Sequence, residues 1–215
     1  MYAKNKKVLV YSTLFATVLV LLLFATGLPY YWSGIKAIAD NTTDFSVERS
    51  HKIKGEYSIP IDLSKLESNL GKELYNDGTH RIYVSFVDNS GDVSSGGFRI
   101  GFRFSGEYSF SHATLISGVQ HSREANNSFS SNMSAKMTSE HNGKLYHCPI
   151  FSESGINYKD GDEFGFYIFP TSAYEDHDIS LNEKGIVNIT VTDLYKNDWS
   201  KNNILYKEEP DEYRN

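Results

Sequence analysis

The densest set of potential ligands in this chain is Tyr174-Glu175-Asp176-His177-Asp178, where oxygen donors suited to calcium surround a histidine suited to zinc. No ordered calcium-loop spacing accompanies them, and carboxylates adjacent in sequence splay toward solvent between strands. Asp176, His177 and Asp178 therefore read as a polar contact loop, with no metal assigned. Asp88-Asn89-Ser90-Gly91-Asp92 and Asp160-Gly161-Asp162-Glu163 invite the same idea, and each is better explained as a hairpin turn.

Arg99 and Arg103 share one face of an alternating strand, with Arg81 nearby on another. Guanidinium forks pair well with carboxylates. Two uses follow: a contact with a partner, or ordinary cross-strand pairing with Asp or Glu inside the sheet. Tyr83, Tyr108, Tyr146 and Tyr174 are expected at loops or outer faces, where tyrosine makes good protein or sugar contacts. Arg99, Arg103, Tyr108 and Tyr174, with the 176–178 loop, are the candidate binding residues.

Catalysis finds no comparable footing. His112, His121, His141, His147 and His177 are scattered, with no His-Glu-x-x-His helix, and no serine sits on a Gly-x-Ser-x-Gly turn. Ser117 lacks the preceding glycine. His147 and Cys148 are adjacent, so on a strand they point to opposite faces and form no dyad. Cys148 is the one cysteine, which forbids an internal disulfide, and its apolar surroundings predict a buried thiol. No catalytic residue and no cofactor is assigned, and the chain reads as non-enzymatic.

What positions these residues begins with an uncharged run. No charged side chain lies between Lys7 and Lys36, and Val8–Leu28 is almost wholly apolar. About twenty apolar helical residues span a hydrocarbon core of about 30 Å. Lys4, Lys6 and Lys7 precede the run, and Pro29-Tyr30-Tyr31-Trp32 follows where aromatic residues anchor a helix at the interface. The run is longer than the apolar region of a secretory signal, about 7–15 residues, which favours a retained anchor over cleavage near Ala25-Thr26-Gly27 or Ala37-Ile38-Ala39. The positive-inside bias then places residues 1–7 in the cytoplasm, 8–32 across the membrane and the rest on the periplasmic or extracellular side.

Removing Lys4, Lys6 and Lys7 from the 21 basic residues leaves 18 against 27 acidic ones, a formal −9 for the exported part. Such a surface repels phosphate backbones and anionic lipid headgroups, so no nucleic acid is expected as a partner and a basic protein or a cation is favoured. Residues 33–52 are polar and aperiodic and read as a juxtamembrane linker; 53–206 is long enough for one domain with a proper core; 207–215 is a solvated tail.

Within 53–206 the reading is mainly β. Tyr57, Ile59 and Ile61 alternate with Glu56, Ser58 and Pro60, and Pro60 marks an edge strand. Ile82, Val84 and Phe86 form the inner row of a second strand, Phe98, Ile100, Phe102 and Phe104 of a third, and Val187, Ile189 and Val191 of a late one. Phe164–Phe169 is apolar on both faces and reads as a central strand. One short helix is expected where Leu63, Leu66, Leu70 and Leu74 recur at spacings of three and four behind a Ser64–Glu67 capping box. Ser122–Asn142, poor in large aliphatics, is expected as a long mobile loop. Asn41, Asn126, Asn132 and Asn188 each begin an Asn-x-Ser/Thr pattern, relevant only after a eukaryotic secretory route. The fold class predicted is an antiparallel β-sandwich, jelly-roll or Ig-like, with one short helix and a single N-terminal transmembrane helix.

Ile59-Pro60-Ile61-Asp62-Leu63, the strand Ile82–Val87, and Ile156-Asn157-Tyr158-Lys159-Asp160-Gly161-Asp162 before a buried strand give a layout that resembles bacterial membrane-anchored periplasmic β-sandwich proteins of unknown function. Some of those look like immunity proteins encoded beside interbacterial toxins. The resemblance implies a tethered protein-binding domain that neutralises a toxin. The other readings are a carbohydrate- or envelope-binding module using loop tyrosines and a hydrolase with a dispersed site.

Overall fold

The computed structural model describes residues 2–25, 32–47, 49–123 and 129–202. Tyr30, Tyr31, Asn126 and the expected tail at 207–215 lie outside them. In chain order the helices are α1 (Tyr2–Ala25), α2 (Ile35–Asp40) and α3 (Thr171–Glu175). The strands are β1 (Phe45–Val47), β2 (His51–Lys52), β3 (Tyr57–Asp62), β4 (Glu73–Asn76), β5 (Arg81–Asn89), β6 (Phe98–Ser105), β7 (Glu107–Tyr108) and β8 (His112–Ser117). They continue with β9 (Val119–Arg123), β10 (Phe129–Met133), β11 (Lys136–His141), β12 (Lys144–Cys148), β13 (Ile150–Glu153), β14 (Gly161–Tyr167), β15 (Ile186–Thr192) and β16 (Tyr195–Lys201).

All the pairings are antiparallel. A five-stranded sheet runs β13-β14-β6-β5-β4 and a four-stranded sheet β12-β11-β15-β3; a third runs β1-β16-β8-β7 with β2 also on β16, and β9 pairs with β10. Phe98, Ile100, Phe102, Phe104, Phe164 and Phe166 of the first sheet merge into one buried cluster with Ile59, Ile61, Val187, Ile189 and Val191 of the second and Leu115 and Trp199 of the third. The period-two rows therefore do what strand pleating requires, each burying one face. Pro60 lies on β3, an edge of its sheet, where its missing N–H breaks no ladder. Asn142 and Gly143, at φ 52° and 76°, make the tight β11–β12 turn that two left-handed residues favour.

Three expectations fail, each for a local reason. No helix forms from Leu63 to Leu74: a 3-10 turn covers Leu66–Asn69, β4 follows, and Leu70 is 52% exposed. Asp62, not Ser64, organises the segment, accepting the Ser64 N–H at 2.8 Å, while the buried Asn69 side chain bonds Asp62 N–H and the Asp62 and Leu66 carbonyls at 2.9, 2.9 and 3.0 Å. Those side-chain bonds offer the backbone an alternative to helix. Ser122–Asn142 is not a long loop, because β10 and β11 run through it and Met137, Ser139 and His141 turn inward. Small polar side chains conceal a strand that is paired on both sides. Finally, a register shift between Val84 and Phe86 turns Phe86 out of the inner row and puts Val87 in its place. One bulged residue reverses every side chain beyond it.

The segment 33–52, expected as a linker, packs against the domain: Ile35 and Ile38 are wholly buried, Phe45 is buried, and β1 and β2 pair with β16. The Ile35 N–H bonds the Lys159 carbonyl at 2.8 Å. Among the described residues no helix is long and apolar enough to cross a membrane; the side chains described in α1 are those of residues 11–23 and 25.

Candidate functional site

Alternation along β6 sends its four aromatic and aliphatic side chains to the core and leaves Arg99, Gly101 and Arg103 on the outer face of the five-stranded sheet. The antiparallel register sets Asp88 and Tyr167 opposite Arg99, Phe86 and Gly165 opposite Gly101, and Tyr83 and Glu163 opposite Arg103. Arg99 grips Asp88 with a fork of two bonds, 2.7 Å from Nε to Oδ1 and 2.6 Å from Nη2 to Oδ2, and its guanidinium stands 4.8 Å over the Phe151 ring. Arg103 donates to Asp160 Oδ1 at 2.6 Å and lies 3.7 Å over Tyr158. Arg81 pairs with Glu73 at 2.6 Å and lies 4.5 Å over Tyr83. Three cations thus each hold one carboxylate and one ring face.

The floor between them is built from glycine. A Cβ on Gly101 would sit 2.0 Å from Phe86 Cε1, and one on Gly165 would meet Ser152 Oγ at 3.1 Å and Phe151 Cδ1 at 3.4 Å. The absent side chains let Phe86 and Phe151 lie down on the sheet, edge to face at 6.0 Å, with Tyr167 edge-on to Phe151 at 5.4 Å. The bulge that turned Phe86 outward is what supplies this ring. The result is a platform of oriented rings and rigid guanidinium planes, the side-chain chemistry enriched where proteins hold partners. Because each guanidinium is already matched by a carboxylate, the platform carries little net charge. It offers recognition surface.

Of the candidate binding residues, Arg99 and Arg103 come together here with Arg81, and of the two uses foreseen for them the one seen is cross-strand pairing: Asp88 on β5 is Arg99's partner. Tyr108 is elsewhere, half-buried on β7, with Lys159 Nζ 5.8 Å from its ring. Tyr174 is not an outer-face residue. It is buried in α3 under Gly97, and its hydroxyl accepts the Phe98 N–H at 3.1 Å. Tyr146 is buried too, edge-on to Phe169. Asp176, His177 and Asp178 occupy the exposed turn after α3, where His177 takes a left-handed φ of 61° and Asp178 pairs with Lys144. Among the described residues no three His, Cys, Asp or Glu side chains converge to hold a metal.

A buried relay that the sequence did not reveal joins two sheets. Thr114 Oγ1 is 2.7 Å from His80 Nε2, whose Nδ1 is 2.9 Å from Asp77 Oδ2, and Tyr75 donates to the same oxygen at 3.0 Å. Hydroxyl, imidazole and carboxylate stand in the order of a nucleophile, its base and an orienting acid. Thr114 and His80 are only 3% and 5% exposed, however, and neither lines any of the cavities described. The largest of these, a groove of about 660 Å³, lies between residues 65–68 and 87–89. The relay is a brace. Burial pushes the Asp77 carboxyl up, but the His80 backbone and ring and the Thr79 N–H together hold it well below the usual carboxylate range. A depressed carboxylate pKa contributes stability above the unfolded-state value near 4 and loses it as pH falls further. Asp77→Asn should therefore lower the urea midpoint at pH 7 and make its decline from about pH 5 to pH 3 shallower than in the parent protein, as followed by far-UV circular dichroism.

Other buried polar groups are similarly quiet. Burial pushes His121 down to about 4, keeping the ring neutral beside Ser131 Oγ at 3.0 Å. Burial pushes the Cys148 thiol up to about 12, and its sulfur donates to the Ile168 carbonyl at 3.2 Å, surroundings that disfavour the thiolate. Burial likewise raises Asp162, which accepts from Ser154 Oγ at 2.7 Å. None of these three cavities is lined by both members of the Thr114–His80 pair or of the Ser131–His121 pair. Set beside known proteins, the chain matches no family model, no curated protein and no solved structure.

Proposed function

We propose that this chain is a membrane-tethered, non-enzymatic binding protein whose exported β-sandwich, jelly-roll or Ig-like, captures a protein partner on the outer face of the five-stranded sheet. The resemblance noted from the sequence makes a toxin to be neutralised the fitting partner. The observation that carries the reading is the triple stack of Arg81 on Tyr83, Arg99 on Phe151 and Arg103 on Tyr158, pinned by Glu73, Asp88 and Asp160. Side chains fixed before contact lose little entropy on binding. The exported formal charge of −9 would steer a basic partner toward the domain.

Support for the tether comes from the uncharged run Val8–Leu28, most of which lies in α1. Tyr11, Leu14, Phe15 and the run Val18–Leu23 are all exposed, between 40% and 71%, so no described part of the chain covers these side chains. A helix apolar all round requires an apolar surrounding. Thr17 satisfies its hydroxyl within the helix, donating to the Thr13 carbonyl at 3.0 Å, as an apolar medium demands. Tethering also raises the effective concentration of the binder at the surface a partner must reach.

The test is protection. Cells expressing the full chain are challenged with each toxin encoded beside its gene, and survival is compared with that of cells carrying Arg103→Ala with Tyr158→Ala. Two contacts of this kind removed together should weaken capture by about 30-fold or more and abolish protection, with the melting temperature of the variant reported alongside. Absence of protection by the parent chain, or full protection by a folded double variant, would sink the proposal.

A further inference from the structure

The residues that enter the domain from α1 do not hang free. Ile35 is wholly buried and hydrogen-bonded to Lys159, and a side chain on Gly34 would collide with that same carbonyl, its Cβ only 2.0 Å from the oxygen. Nine residues separate Ala25, the last of α1, from Ile35, the first of α2. Fully extended, that stretch reaches at most about 35 Å. Trp32 and Ser33 are themselves helical, which shortens it further. The end of the domain that carries α2 is therefore the end nearest the membrane, if α1 sits there as proposed above.

That end has a distinctive surface. Outside α1, the exposed aromatic side chains among the described residues are Trp32 at 77%, Phe110 at 43% and Tyr158 at 39%. Each is a near neighbour in the chain of a residue joined to the entry point through Lys159. Trp32 precedes the Gly34 contact with Lys159, Tyr158 is the neighbour of Lys159, and Lys159 Nζ lies 5.8 Å from the Tyr108 ring. Phe110 follows Tyr108 on the β7–β8 turn, closed by Ser109 N–H to the His112 carbonyl at 2.7 Å. Tryptophan, phenylalanine and tyrosine with a lysine beside them, here Lys159, form the composition of a membrane–water interface.

We infer that this end of the domain rests in the lipid headgroup layer, with Trp32, Phe110 and Tyr158 at the interface. The inference rests on the membrane reading of α1 and adds an orientation to it. A domain seated on the bilayer by its aromatic end cannot swing on its tether, and the Arg103–Tyr158 corner of the platform is held close to the lipid surface.

The experiment uses the full chain reconstituted in vesicles of phosphatidylcholine and phosphatidylglycerol, 3:1, doped with headgroup-spin-labelled phosphatidylcholine. A bimane fluorophore is attached at Ser111→Cys, beside Phe110 but leaving it in place, or at Ser94→Cys on the β5–β6 turn. Both positions are exposed, Ser94 before β6 and Ser111 beyond it, and the eight residues of that strand run about 25 Å. The native Cys148 thiol, half-buried and with its pKa pushed up, serves as the unlabelled background. Quenching at position 111 several-fold greater than at 94, and reduced to the level of 94 by Trp32→Ser with Phe110→Ser, is the expected result. Equal quenching at both positions in a chain that alkaline carbonate leaves in the vesicles overturns the orientation alone. Release of the chain by carbonate overturns the anchor and the orientation together.

Discussion

Gly101→Val is expected to destabilise the domain by about 2–3 kcal/mol and to dismantle the binding face at the same time, because overfilling a closed site forces neighbours from their rotamers. The first added carbon would lie 2.0 Å from Phe86 Cε1 and 2.4 Å from Cδ1, so the ring must leave the sheet. With it goes the edge-to-face contact to Phe151, the ring beneath the Arg99 guanidinium. At this chain length the loss corresponds to a fall of about 5–10 °C in melting temperature. Gly155→Ala, where an added Cβ meets nothing within 4 Å, should change it by less than about 1–2 °C. The diagnostic variant is the double one. Phe86→Ala creates the room that valine needs, so Gly101→Val with Phe86→Ala should be less destabilised than the two single effects added together. Strict additivity by differential scanning calorimetry would mean that the ring does not rest on the glycine.

The larger loss is expected from Phe164→Ala, about 3–5 kcal/mol or about 10–15 °C. Phe164 lies on β14, flanked by β13 and β6, and is fully buried. Its ring stacks on Phe102 at 5.4 Å, meets Phe104 at 5.9 Å and takes Phe166 edge-on at 6.1 Å. Across the core Gly118 comes so close that a Cβ there would be 2.9 Å from two ring atoms. Neighbours fixed by three rings and a backbone cannot collapse into the space, and a cavity that stays open costs more than the transfer energy of the lost atoms. A measured loss below about 1 kcal/mol by urea titration would show that the core relaxes there.

Which parts of this structure the sequence could announce follows from the range of the forces involved. Rows such as Phe98–Phe104 and Val187–Val191 are legible because pleating imposes a period of two on each strand separately. Arg99 and Arg103 are legible as a pair for the same reason. Their partners are not: Asp160 and Tyr158 reach Arg103 from more than fifty residues away, and Phe86 arrives only because a bulge breaks the period that predicted it facing inward. The leucines at 63, 66, 70 and 74 imitate a helical stripe, yet Leu63 and Leu74 are buried at either end of a turn while Leu70 faces water. Asn69 and a left-handed Gly71, φ 77°, decide that segment, and neither contributes to a hydrophobic pattern. Tyr174 was misplaced because a tyrosine beside acidic residues looks like a surface residue until α3 folds it under Gly97. The Asp77–His80–Thr114 relay depends on a contact across 34 residues between two sheets, which no local spacing encodes.

The pairing of β1 with β16 joins Phe45 to Lys201, nearly the first and nearly the last residue of the described domain. In a chain that leaves the ribosome or crosses a membrane from its N-terminal side, α2 and β1 arrive first and their strand partner arrives last. Completion of the third sheet then waits on synthesis rather than on diffusion, and sheets whose closing contacts span the whole chain fold slowly once released. The other two sheets contain neither β1 nor β16, so the seam that joins the two ends of the domain is the part whose completion is tied to the emergence of its last strand.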